Sequence, residues 1–349
     1  MASSNEIAKT VIKSVSGKPG GLRKFVKIDV PGAPLCELYI RNDGVTYQPI
    51  VEEGIEWETE RKGTPGKLTF TVYQDGNLKF SYGSAVTFKY DGNNVFYGFV
   101  FKMTPTTDGL IKIVAYDQLR YFKNKHTYIY KNKRLDQLVK MIADDFKLRT
   151  GTLNNTKKTI TRVEDNATLF DIIANATDDT VLATGNLFIL YDDFGLLTLK
   201  NLANMKSDFL IDQDTAQDYD YTASIDDNSY SKVVIYHDND DIREYYIAND
   251  KTYQERWGIL QLTEKAGSKA TAKQQAKLML DMYKKPTRNL TVKGAFGNVK
   301  VRAGSLVPVM LQLKDVKLSK YMMVEKAKHT FKESEYTMDL TLVGNTFVE

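Results

Sequence analysis

The feature that most constrains this chain is a two-residue hydrophobic alternation that recurs in short stretches separated by turn residues. Ile55-Glu56-Trp57-Glu58-Thr59-Glu60 puts Ile55 and Trp57 on one face and three glutamates on the other, the period of a half-buried strand. After the turn signal Gly63-Thr64-Pro65-Gly66, residues 67–73 repeat the pattern with Leu68, Phe70 and Val72 on one side. Residues 86–90 and 95–101 flank Asp91-Gly92-Asn93-Asn94 and read as a hairpin. Thr107-Asp108-Gly109 turns into another apolar run at 110–116, and residues 25–30 and 35–40 alternate as well. Short strands, polar turns and no helical period predict a closed barrel or sandwich over residues 25–122.

The period then changes. Leu135, Leu138, Ile142 and Phe146 recur every three or four residues and define one helix face, with Asp136, Lys140, Asp144 and Lys147 off it. A second helix is expected from Thr168, where Thr168 and Asp171 have capping-box spacing and Leu169, Ile172, Ile173 and Ala176 form the apolar stripe. Residues 187–191 and 196–199, on either side of Asp192-Asp193-Phe194-Gly195, predict a hairpin. Residues 123–203 therefore read as a small α+β domain.

Alternation resumes after a polar link at 212–220. Residues 232–236 and 243–247 flank the turn at 237–241. A helix is expected next, with Thr271 and Gln274 as its capping box, Ala272, Ala276, Met279 and Tyr283 inside, and Pro286 past its end. Strands at 290–293, 305–313, 321–331 and 335–343 close the chain.

A chain of 349 residues is too long for one ordinary core. The expected layout is an extension at 1–24, a first β-barrel domain at 25–122, the α+β domain at 123–203, and a second β-barrel domain at 204–349. A helical insertion near 251–289 interrupts the last. The extension interleaves Lys9, Lys13, Lys18, Arg23 and Lys24 with Gly17, Pro19, Gly20 and Gly21, and reads as a solvated tail or an arm for a neighbouring subunit. The fold class is β-rich α+β, multi-domain.

Charge narrows the partners. The 48 basic and 44 acidic residues give a net +4, too mild for the footprint of a nucleic-acid binder. The single cysteine, Cys36, forms no intramolecular disulfide; within an alternating stretch it reads as a buried structural thiol, and its solitude favours cytoplasmic assembly. The polar first ten residues carry no signal-peptide core. No run approaches the ~18 apolar residues of a membrane helix, so no membrane anchor is expected.

The chemistry-bearing residues do not form a known constellation. His126, His237 and His329 are far apart, with no zinc spacing, and no nucleophile elbow or phosphate loop occurs. Asp192-Asp193, Asp226-Asp227 and the run Asp238-Asn239-Asp240-Asp241 are the densest acids. Two of these sit at hairpin turns, where aspartate bonds its own backbone. Calcium at 238–241 lacks the later bidentate glutamate of a calcium hand. Trp57 and Trp257 read as core residues. No catalytic, cofactor or metal residues are expected. A peptidoglycan hydrolase using paired carboxylates is the alternative reading, since such chemistry needs only two acids about 5–10 Å apart.

These pieces together resemble the baseplate hub proteins of contractile tails, of the XkdQ/YqbQ-like and late-control D type. The resemblance is carried by 63–72, 83–88, 95–100 and 115–121 in the first β region. In the middle it rests on the helix from Leu135 and on 165–173, 184–188 and 195–199, and near the end on 321–343. It implies two tail-tube-like barrels with intervening α+β structure, and a homotrimer whose six barrels make a pseudo-sixfold ring around a central channel. It also implies contacts with the central spike, the tail tube and other baseplate proteins. The place would be the baseplate of a phage virion or a phage-tail-like bacteriocin particle, assembled in the bacterial cytoplasm; members are sometimes labelled hydrolases, and the residues here give no ground for enzymatic activity or a cofactor.

Overall fold

The computed structural model describes residues 35–344, apart from 75, 240–241, 267–268, 314–315 and 333–334. The expected extension at 1–24 and the expected strand at 25–30 lie outside the described residues.

The N-terminal β region comprises β1 (Cys36–Asn42), β2 (Val45–Tyr47), β3 (Ile55–Glu60), β4 (Lys67–Tyr73), β5 (Ala85–Tyr90), β6 (Asn93–Pro105) and β7 (Leu110–Tyr116). The middle comprises β8 (Lys125–Arg134), α1 (Leu135–Asp145), β9 (Thr150–Leu153), β10 (Thr159–Thr168), α2 (Leu169–Thr184), β11 (Phe188–Asp192) and β12 (Leu197–Asn201). Next come β13 (Asp218–Ser224), β14 (Lys232–Asn239), β15 (Ile242–Asn249), α3 (Lys251–Trp257), β16 (Gln261–Lys265) and α4 (Lys269–Tyr283). The chain closes with β17 (Thr287–Phe296), β18 (Leu306–Leu313), β19 (Val316–Phe331) and β20 (Tyr336–Gly344).

Twelve strands form one sheet, in the order β13-β17-β20-β19-β3-β4-β7-β6-β5-β1-β2, with β18 also paired to β19. The two β regions meet where β3 runs antiparallel to β19, Ile55 opposite Phe331 and Glu60 opposite Lys326. The 16-residue β19 is long because three strands use it. One edge serves β18 and then β3, and the other serves β20. The two expected barrels are not found as closed rings among the described residues: β3 pairs with β4 on one side and β19 on the other, and the strand path keeps two ends.

The glutamate face of β3 helps make this joint. Lys328 bridges Glu56 at 2.6 Å, and Arg61 binds Glu325 with two hydrogen bonds of 2.6 and 3.1 Å. On the other face two apolar cores lie side by side. Leu38, Ile40, Trp57, Phe70, Val86 and Phe88 build the first, which also takes in Phe331 from β19. Leu290, Val292, Val307, Val324 and Leu340 are part of the second. An aromatic cluster crosses between the regions, with Phe331 4.9 Å from Phe88 and 5.0 Å from Tyr90.

The middle region has its own core from Phe122, Leu135, Leu138, Ile142, Leu169, Ile172 and Leu199. The α1 stripe is thus buried as its spacing predicts. Thr168 caps α2, its Oγ accepting from the Asp171 amide at 3.1 Å. β8 and β10 form a two-stranded ladder, and β9 joins the β11–β12 hairpin in parallel. A third small sheet, β15-β14-β16, packs against α4 through Val233, Ile235, Ala272 and Ala276.

Three local expectations are corrected. α4 starts at Lys269, so Thr271 lies inside its first turn. Trp257 is half-buried at the end of α3, tilted against Tyr253 at 4.4 Å between ring centroids; this seven-residue helix buries no side chain and leaves the indole without a core to enter. Cys36 is half-buried, because it opens a strand at the margin of its core.

Candidate functional site at the junction of sheet and helical region

β7 ends at Tyr116, and the chain turns into a 3-10 helix, Gln118–Lys123. Asp117 caps this turn. Its Oδ1 accepts from the Leu119 amide at 3.0 Å and its Oδ2 from the Gly66 amide at 2.9 Å. Gly66 has to be glycine, since a Cβ there would stand 2.3 Å from Asp117 Oδ2. Asp192 does the same for the β11–β12 turn. It accepts from the Gly195 amide at 2.5 Å and from Gln118 Nε2 at 3.1 Å. Gln118 in turn accepts from the Arg149 amide at 2.8 Å. The hairpin tip rests on the first β region, with Phe194 6.0 Å from Tyr97 between ring centroids.

Arg302, on the segment between β17 and β18, enters from the opposite side. Its guanidinium lies 4.1 Å from the Tyr191 ring centroid and 5.9 Å from that of Trp57. Burial, then the nearby Asp192 carboxylate, pushes Asp117 well above the usual carboxylate range, against the pull of Arg302 and two amide donors. Burial also raises Asp192, opposed by the Gly195 amide, Gln118 and Arg302. Burial lowers Arg302, opposed by Tyr191 and the two aspartates. The cation and the two acids therefore compensate one another in a place that hydrates none of them well.

His329 completes the junction from β19. Its Nε2 is 2.9 Å from Val301 O and its Nδ1 2.8 Å from Tyr336 Oη. Burial pushes its pKa down to about 3. The ring is neutral, so Nε2–H donates to Val301 and the Tyr336 hydroxyl donates to Nδ1. Trp57 packs against the ring at 4.8 Å.

Asp117 and Asp192 are the carboxylate pair that burial and mutual repulsion mark out. Only 4% of Asp117 and 5% of Asp192 is exposed. Both oxygens of each accept bonds from the chain's own N–H groups, an arrangement that ties three connections together. A general acid or base must instead reach a substrate proton.

The other acids noted in the sequence fall elsewhere. Asp226 and Asp227 are exposed after β13, and Asp238 bridges Arg243 at 2.6 Å and Lys265 at 2.9 Å; Asp240 and Asp241 lie outside the described residues. His126 is exposed on β8, stacked on Tyr128, and His237 lies on β14. Among the described residues no group of three His, Cys, Asp or Glu side chains is placed to hold a metal ion. A cleft of 330 Å³ lies beside the junction, between α2, β11 and the ends of β19 and β20, floored by Ile173, Val181, Ile189 and Met323.

Residues 55–343 match the sequence profile of the YqbQ-like family. The chain belongs to that family. Among YqbQ-like relatives, the phage-like element PBSX protein XkdQ of Bacillus subtilis (strain 168) is 29% identical over 327 residues, spanning 90% of this chain and 99% of the relative. The YqbQ-like fold also recurs in solved structures. The prophage MuSo2 43 kDa tail protein from Shewanella oneidensis matches with a TM-score of 0.67 at 16% identity, over 90% of this chain and 100% of that one. The tail protein from Neisseria meningitidis MC58 matches at 0.65 and 13% identity, over 90% and 98%. The fold is therefore one shared with phage tail proteins.

Sequence reasoning missed the junction. Asp117 offered a signal, an aspartate directly after a strand, the position of a cap. Arg302, in Lys300-Val301-Arg302-Ala303-Gly304, offered none.

Proposed function

We propose that this YqbQ-like chain is a structural hub of a contractile-tail or injection-particle baseplate, and not an enzyme. Three copies would form a ring with a central channel, adapting the sixfold tail tube to the threefold spike. Its partners would be copies of itself, the spike, the tube and other baseplate proteins, within a virion or a phage-tail-like particle. Residues 25–122 and 204–349 would supply the tube-like halves, and 123–203 the module clamped between them.

The uninterrupted sheet across β3 and β19 carries this reading. A ring that adapts sixfold to threefold symmetry needs each subunit to offer two tube-like units at a fixed angle, and a strand ladder with shared cores fixes that angle. The phage-like element in the name of the XkdQ relative supports the setting. The hydrolase reading loses ground because the buried acid pair is consumed by structural hydrogen bonds.

Electron microscopy of the assembled particle tests the proposal. Three copies in one layer between tube and spike is the expected result, and six copies or one would overturn it. Clearing of peptidoglycan in a zymogram, abolished by an Asp or Glu substitution, would overturn the non-enzymatic assignment.

A further inference from the structure

The outer face of the β8–β10 ladder is apolar at its centre, with four lysines around it and one carboxylate, Asp165, which accepts from Thr127 Oγ1 at 2.9 Å. Ile129 and Val163 stand directly opposite each other in register. They are 76% and 69% exposed. Lys125 and Lys131 flank Ile129 on β8, Lys133 lies beyond the bulge at Asn132 and opposite Ile160, and Lys157 precedes β10, all four exposed. Among the described residues none of these four lysines is in an ion pair.

A patch of opposite sign lies at the free end of the large sheet. β13 is its terminal strand, so one backbone edge is unpaired among the described residues. Asp214, Asp218 and Asp220 are exposed there, and no Lys or Arg occurs between residues 212 and 227. Lys293 stands opposite Asp218 in the ladder, and no ion pair joins them. This patch also has an apolar centre. Phe296 is 66% exposed, and its amide donates to Thr215 O at 3.1 Å, beside the aspartates.

The geometry points to a head-to-tail contact between copies of this chain, the basic ladder of one subunit against the acidic β13 edge of the next. Phe296 packs on Ile129 and Val163, with lysines facing aspartates around it. An exposed aromatic within a charged rim has the anatomy of an interface anchor. A twofold contact of the ladder with itself would oppose lysine to lysine, so the two patches have to meet heterologously, and a heterologous contact closes into a ring when the rotation between copies divides a full turn. This inference rests on the ring proposed above and names the surfaces that build it.

Sedimentation of the full chain tests it, with circular dichroism confirming that each variant is folded. Phe296→Asp and the pair Lys125→Glu/Lys131→Glu should each weaken self-association about thirtyfold or more. Adding Asp218→Lys/Asp220→Lys to the lysine variant should restore it. In a Cys36→Ser background, chains carrying V163C mixed with chains carrying F296C should form an interchain disulfide. A wild-type trimer whose association survives every variant, with no crosslink, overturns this interface and leaves the ring standing. A wild-type monomer without crosslink overturns both. A wild-type monomer that still crosslinks between these positions supports the contact and overturns the stable ring.

Discussion

His329 and Gly66 show how single residues hold the junction. His329 is neutral in the fold, with its pKa pushed down to about 3 from an ordinary 6.5. The unfolded chain takes up a proton on this histidine below about pH 6.5 that the fold refuses until about pH 3, so stability falls as pH drops through that window, by roughly 1.4 kcal/mol per unit. His329→Gln should remove this one-proton slope when urea melts of variant and wild type are compared between pH 7 and 4. Asp117 and Asp192, raised in the fold, act in the opposite direction in both proteins and cancel in that comparison. Gly66→Ala forces a methyl against Asp117 Oδ2 and should cost about 1–3 kcal/mol in the same assay. Neither role was legible in the sequence. Spacing shows which face a side chain is on, whereas the bonds to Asp117 depend on a partner 51 residues away.

Among the elements, what was legible was local. Asp91 and Gly92 have φ of +49° and +73°, the left-handed pair that a two-residue hairpin needs, and the turn signal located that hairpin. The α1 stripe and the Thr168 cap were readable for the same reason. Thr168→Ala should cost about 1 kcal/mol in chemical denaturation. The elements that escaped were the β8–β10 ladder, the parallel pairing of β9 with β12, and above all the β3–β19 ladder. Hydrophobic alternation fixes which side of a strand is buried and says nothing about which strand lies beside it.

For the whole molecule, that ladder governs how the chain can be divided. Residues 35–122 alone keep β4 beside β3 but lack β19 on its other edge and the Phe331 ring that fills their core. The isolated fragment should show no cooperative thermal transition, and adding residues 204–344 in trans should restore one, read by near-ultraviolet circular dichroism. A fragment that melts cooperatively alone would show that the two regions are independent folding units. The general β-rich, multi-sheet character was legible in the alternation. The merging of the two regions was not, because it depends on contacts between the ends of the chain.

The Arg61–Glu325 bridge spans 264 residues. At the ribosome, about 5–20 residues emerge each second, so β3 waits roughly 15–50 s for its neighbour to be made. An interrupted translation product would expose an open strand edge and lack one ring of its core. The first β region therefore closes its core only once translation has passed β19.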